Sequence, residues 1–301
     1  MDIGLVLVRF VHYGASLVLF GLVLFPLYAY PAVAGRTGSR ALAISRLVSL
    51  LVLISGILWF IGVAANMTDA GMSWETARFM VTETSFGAVS LLRLGGALAA
   101  VATLTLLPRS SPKTLDLVLV AVCAILLGSL AGVGHTQVED GQARAVHTFS
   151  DALHLLAAGA WLGGLVGLLD LTATAVDGGN GAARQACEAA FRFSKMGYAA
   201  VAILVAAGLV NSWFLVGSLT NLVATTYGRL LLLKLVLFVA MVGFAGLNRF
   251  LVVPTLQRAA AMGSKHGLRR LLVNVVAELS LGLAIILIVS LLGIAEPAGT
   301  S

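Results

Sequence analysis

The stretch HTFSDALHLLAAGAWLGGLVGLLD, residues 147–170, decides the fold. Between Ala152 and Leu169 its one strongly polar side chain is His154. A hydrocarbon core needs roughly 20 mostly apolar residues per crossing helix, and this run supplies them. Working outward, eight such segments are expected, at about 3–31, 47–65, 86–107, 115–134, 150–174, 197–216, 229–250 and 271–294. The loops between them are short, as in a compact bundle.

Composition agrees. Of 301 residues 59% are apolar and only 11% charged, and the mean hydropathy is +1.02. A soluble domain carries about 25% charged residues, so a water-soluble globule is excluded. The 33 glycines suit close helix packing in a membrane. The net charge of +6 does not point to nucleic acid, because the basic residues sit in short loops where they set topology. Cys123 and Cys187 form neither a disulfide framework nor a metal spacing. Residues 1–8 lack a basic leader, so the first segment is expected to stay as a membrane helix.

Thirteen Lys and Arg residues lie in the odd-numbered loops and their edges, against three in the even-numbered loops. The positive-inside rule then puts the odd loops in the cytoplasm and both termini outside. Asp69, Glu75, Glu83, Glu139, Asp140 and Asp151 fall on or near the outer face, as an acidic vestibule that would concentrate cations.

A repeat underlies the pattern. His12 is followed by Gly21 and His154 by Gly163 at the same interval, with an offset of 142 between the histidines. Gly87 and Arg93 recur as Gly228 and Lys234 at an offset of 141. The second and sixth helices align poorly, as do the fourth and eighth. The expected fold is an all-α polytopic membrane protein: two parallel-oriented four-helix halves, 1–141 and 142–301, related by an axis along the membrane normal. His12 and His154 are then candidates to face each other between the halves.

Four of the five histidines belong to the outer side: His12, His135 at the end of the fourth segment, His147 and His154. His147, Asp151 and His154 share one helical face by their spacing of i, i+4 and i+7. Asp151 and His154 suit a ligand pair, or a ligand with its orienting carboxylate. Imidazole binds copper, zinc, nickel and iron, and thioether in the same vestibule, from Met67 and Met72, tilts the choice toward copper. Arg9, Arg93 and Lys234 are intramembrane bases that either snorkel or shape the entrance. Glu278 and Asp170 are candidates for an inner exit site. No serine nucleophile elbow, phosphate loop or zinc-protease motif occurs, so an enzyme is not expected.

At these residues the sequence resembles the copper resistance protein D (CopD) family of bacterial inner-membrane proteins. The resemblance is carried by HTFSDALHLLAAGAWLGGL (147–165), FRFSKMGYAAVAILVAAGLVNSW (191–213), YGRLLLLKLVLFVAMVGFAGLNRFLVVP (227–254) and LRRLLVNVVAELSLG (268–282), with RFVHYGASLVLFG (9–21) at the start. It implies an eight-helix copper-handling protein of the cytoplasmic membrane, working with a separate periplasmic CopC-type copper carrier.

The expectation is therefore copper uptake, from Met67, Met72, His147, His135 and Asp151 to a deeper site at His12 and His154. One rival is a membrane cytochrome in which His12 and His154 ligate haem b, since facing imidazoles are also how helical bundles hold haem iron. Another is a copper-binding sensor or assembly protein that holds the metal without moving it.

Overall fold

The computed structural model describes residues 3–30, 39–66, 73–107, 113–133, 140–216, 218–262 and 265–293. All regular structure among them is helical: α1 (Ile3–Ala29), α2 (Ser39–Asn66), α3 (Trp74–Glu83), α4 (Ser85–Leu106), α5 (Lys113–Gly128), α6 (Gly141–Asp177), α7 (Asn180–Val216), α8 (Leu219–Ala224), α9 (Thr226–Leu247), α10 (Val253–Ala261) and α11 (Leu268–Leu292). A 3-10 turn, Ser129–Val133, extends α5, and a π-helical turn, Asn248–Val252, joins α9 to α10. Eight of these helical stretches are long and apolar enough to cross a membrane. The protein is thus an all-α polytopic membrane protein.

Boundaries depart from the sequence reading where polar ends continue a helix. α6 and α7 have 37 residues each, about 55 Å long, more than a bilayer core requires. The first part of α7 is alanine-rich, and Ala183, Ala186, Ala189 and Ala190 are buried, so helix propensity and packing both sustain it. Its exposed Glu188 and half-buried Arg192 pair at 2.6 Å one turn apart. A hydropathy window sees only the apolar part of such a helix.

Two short helices fall outside the membrane-length pattern, and each prepares the helix that follows. Thr84 caps α4 by accepting from the Gly87 amide, and Thr225 caps α9 by accepting from the Gly228 amide, both at 3.0 Å. In each case a side chain on the glycine would collide with a carbonyl of the preceding helix, at Met80 or Leu222. This junction sets the angle from which Arg93 and Lys234 enter the bundle, each on the second turn after its glycine.

α1 packs against α2, α5, α6 and α11, and α6 against α1, α5, α7 and α11, so α1 and α6 form the central seam. They cross at Gly21 and Gly163. A Cβ at Gly21 would lie 2.5 Å from the Gly163 Cα, and one at Gly163 would lie 2.5 Å from the Gly21 Cα. Glycine is needed here because two backbones touch. At one end of the bundle Arg9 Nη1 donates to the Gly293 carbonyl at 2.9 Å, joining the start of α1 to the end of α11. At the other end Arg40 pairs with Asp170 at 2.8 Å.

Candidate functional site

Both mid-helix histidines lie beyond the Gly21–Gly163 crossing, each on a different helix of the seam. The first is completely engaged. Arg93 Nη2 lies 2.8 Å from His12 Nε2, and a guanidinium can only donate, so Nε2 is the acceptor. The ring proton therefore sits on Nδ1, which donates to Ser55 Oγ at 2.9 Å. Ser55 passes its own hydrogen to the Leu51 carbonyl at 2.6 Å. Trp59 closes this arrangement: its ring centroid is 5.4 Å from that of His12, and the Arg93 guanidinium lies 4.4 Å from its centre. Arg93 is only 4% exposed and turns inward, so it does not snorkel.

The second histidine sits in a similar frame with different polar partners. Gly56 lies against the His12 ring and Gly208 against the His154 ring: a Cβ on either would meet the imidazole Cε1, at 3.2 and 3.6 Å. The residue before each glycine differs, Ser55 in one case and Ala207 in the other. His154 Nδ1 is buried without a well-formed hydrogen bond, the nearest backbone acceptor within the ring's reach being that of Leu204. Three residues beyond Gly208, where α2 has Trp59, α7 has Asn211. Its Nδ2 donates to Asp151 Oδ1 at 3.0 Å, and this turns its Oδ1 the other way, buried and without a partner. Asp151 and His154 on α6 thus face Gly208 and Asn211 on α7. Lys234 lies within electrostatic reach of both Asp151 and His154, as the base matching Arg93.

This arrangement alters the expected site. Each imidazole is held by the long helix following its own, His12 by α2 and α4, His154 by α7. Among the described contacts, none brings the two imidazoles together. His147 is 2% exposed and stacks on Phe214, with centroids 4.7 Å apart and planes 8° apart. It stands one to two turns before Asp151 and His154 on the same helix. His135, Met67 and Met72 lie outside the described residues. Asp170 is committed to Arg40, and Glu278 to Asn248 and Trp161, so these two carboxylates serve different clusters. Among the described residues no three His, Cys, Asp or Glu side chains converge as a metal centre.

Sequence reasoning missed Ser55, Trp59, Gly56 and Gly208. The signal was present: Ser55-Gly56 and Ala207-Gly208 are offset by 152 rather than by 142, because α6 and α7 are longer than α1 and α2 and add more residues than their shorter connection removes.

Comparison with known proteins bears on this geometry. The family model for copper resistance protein D matches residues 188–292, and that for the copper resistance protein D-like N-terminal domain matches residues 1–146. Copper resistance protein D of Pseudomonas syringae pv. tomato is 32% identical over 96% of each chain. The chain belongs to the copper resistance protein D family. Inner membrane protein YebZ of Escherichia coli (strain K12) is 28% identical over 96% of this chain and 97% of its own. Copper transport protein CutJ of Bacillus subtilis (strain 168) is 34% identical over 38% of this chain and 21% of its own length. No solved structure matches. With its eight apolar helices, this family member is a multi-pass protein of the inner membrane that is concerned with copper.

Proposed function

We propose that the protein carries copper inward across the cytoplasmic membrane, and that the ion rests at Asp151, His154 and Asn211. The observation behind this reading is the pair of buried atoms without a well-formed hydrogen bond, His154 Nδ1 and Asn211 Oδ1, within a turn of the Asp151 carboxylate. A buried polar atom without a partner costs about 1–3 kcal/mol, so such a pair is kept where something else binds it. An imidazole nitrogen beside oxygen donors is a copper-competent set, and copper is the metal in the names of the relatives.

In this account the acidic residues Glu75, Glu83 and Asp140 and the ligands Met67, Met72 and His135 collect copper outside, and His147 stands between them and the buried post. His12 is the second post, open to an ion only when Arg93 leaves Nε2. The halves 1–141 and 142–301 each supply one post, with both termini outside and the basic loops inside. The chain acts as a carrier rather than an enzyme, and receives its cargo from a CopC-type periplasmic protein.

Reconstitution into copper-free vesicles tests the reading. The wild type is expected to move copper into the lumen, and His154→Ala to abolish that flux. Unaltered flux in His154→Ala overturns the assignment of the site, and copper bound without flux overturns transport.

A further inference from the structure

Glu278 is buried at 1% exposure in α11, away from the histidine sites. Asn248 Nδ2 meets its Oε1 at 2.6 Å, and the Trp161 indole N–H meets its Oε2 at 3.4 Å. Asn274, one turn earlier on α11, donates to Asn248 Oδ1 at 2.8 Å. No cation lies within ion-pair distance of Glu278 among the described residues. The nearby Arg249 is turned aside, its guanidinium 4.8 Å from the Phe191 ring centre and its Nε on the Tyr198 hydroxyl. An unpaired ionisable group at membrane depth is costly, and is kept where it has work to do.

Beside this cluster lies a cavity of about 310 Å³, lined by Trp161, Phe193, Tyr198, Asn248, Arg249 and Glu278 among others. It is bordered by the π-helical turn Asn248–Val252, a departure from regular helix that frequently marks functional positions. The titratable and charged groups around Glu278 are few: Tyr198 from α7 and Arg249 from the π-helical turn. α6 presents Trp161, while its Asp170 is paired to Arg40 and its His154 faces α7.

We propose that Glu278 is a proton-binding site, taking up and releasing one proton through this cavity, and that this proton is exchanged for copper. The second half of this statement rests on the transport reading above. A bound metal is less suited to the place, because neutral N–H donors already point at both carboxylate oxygens. A proton fits by reversal of the amides. With the carboxylate charged, Asn274 donates to Asn248 and Asn248 donates to Glu278. With the acid formed, its O–H donates to the Asn248 amide oxygen, and Asn248 donates in turn to the Asn274 amide oxygen. Both states leave every member of the chain satisfied, and the 2.6 Å separation lies within the O–H···O range. The transfer itself is one proton from cavity water to the carboxylate, and back.

Infrared difference spectroscopy on the full chain in lipid nanodiscs, taken from alkaline to acid pH, reads the protonation directly. On acidification the wild type and Asp151→Asn should show, beside the bands of the exposed carboxylates, a separate C=O stretch at the higher frequency of a buried acid, and Glu278→Gln should lack that one band. If the Gln variant does not fold, Glu278→Asp keeps the acid and should shift the band. A band unchanged in these Glu278 variants, or none in the wild type, overturns the site. In vesicles, a pH-sensitive dye should record proton movement accompanying copper in the wild type but not in Glu278→Gln. An equal proton-to-copper ratio in both overturns the coupling. A wild type that moves no copper ends the transport reading and the coupling together, and the infrared result then decides the proton site alone.

Discussion

Arg93 donates to the Nε2 of His12 at 2.8 Å, and this contact fixes the tautomer of the ring. It makes the first-half histidine a hydrogen-bonded post rather than an open ligand. The corresponding base in the second half, Lys234, is shorter in hydrogen-bonding reach and has no planar fork to lock a ring. The two imidazoles therefore differ in availability although their surroundings are built alike.

Removing that lock should expose the first histidine. Arg93→Ala is expected to lower the melting temperature, since losing a buried hydrogen bond to a charged group costs about 1.5–3 kcal/mol. It should also add a copper equivalent to the purified protein. Ser55→Ala should destabilise without adding copper, because Arg93 still holds Nε2. Metal analysis alongside thermal unfolding in detergent checks both; extra copper in Ser55→Ala but not in Arg93→Ala would reverse the roles.

The seam between α1 and α6 makes a separate prediction. Gly21→Ala and Gly163→Ala both place a methyl on opposing backbone, and each should cost about 3 kcal/mol through forced separation of the helices. At Gly95 and Gly243 a Cβ would have nothing within 4 Å, so alanine there should be neutral or slightly stabilising. Thermal unfolding of the four variants checks the contrast.

Much of this was legible in the sequence. The apolar run around His154 and its counterparts led to eight spans, and the spacing of His12 and Gly21 matched that of His154 and Gly163. The direction each imidazole faces was not legible. It depends on how α2, α4 and α7 rotate against the seam, and that is decided by packing at Gly56 and Gly208, which hydropathy does not register. Nor could composition show that Arg93 points inward, because a long basic chain at that depth is equally able to reach the membrane surface. The role of Asn211 follows only from its bond to Asp151.

That bond supplies the next prediction. Asn211→Leu removes the unpartnered oxygen and should weaken copper binding by about tenfold, the equivalent of about 1.4 kcal/mol. Asp151→Asn should weaken it as well, by removing both the charge and the acceptor that orients Asn211. Competition titrations against a chelator of known affinity check this; wild-type affinity in Asn211→Leu would remove that residue from the site.

The most direct test is a competition titration of wild type, His12→Ala and His154→Ala in parallel, run with Cu(I) and with Cu(II), because a nitrogen and oxygen donor set suits the latter. His154→Ala should lose the tight site, while His12→Ala, though less stable, should keep it. Tight binding retained in His154→Ala and lost in His12→Ala would contradict it.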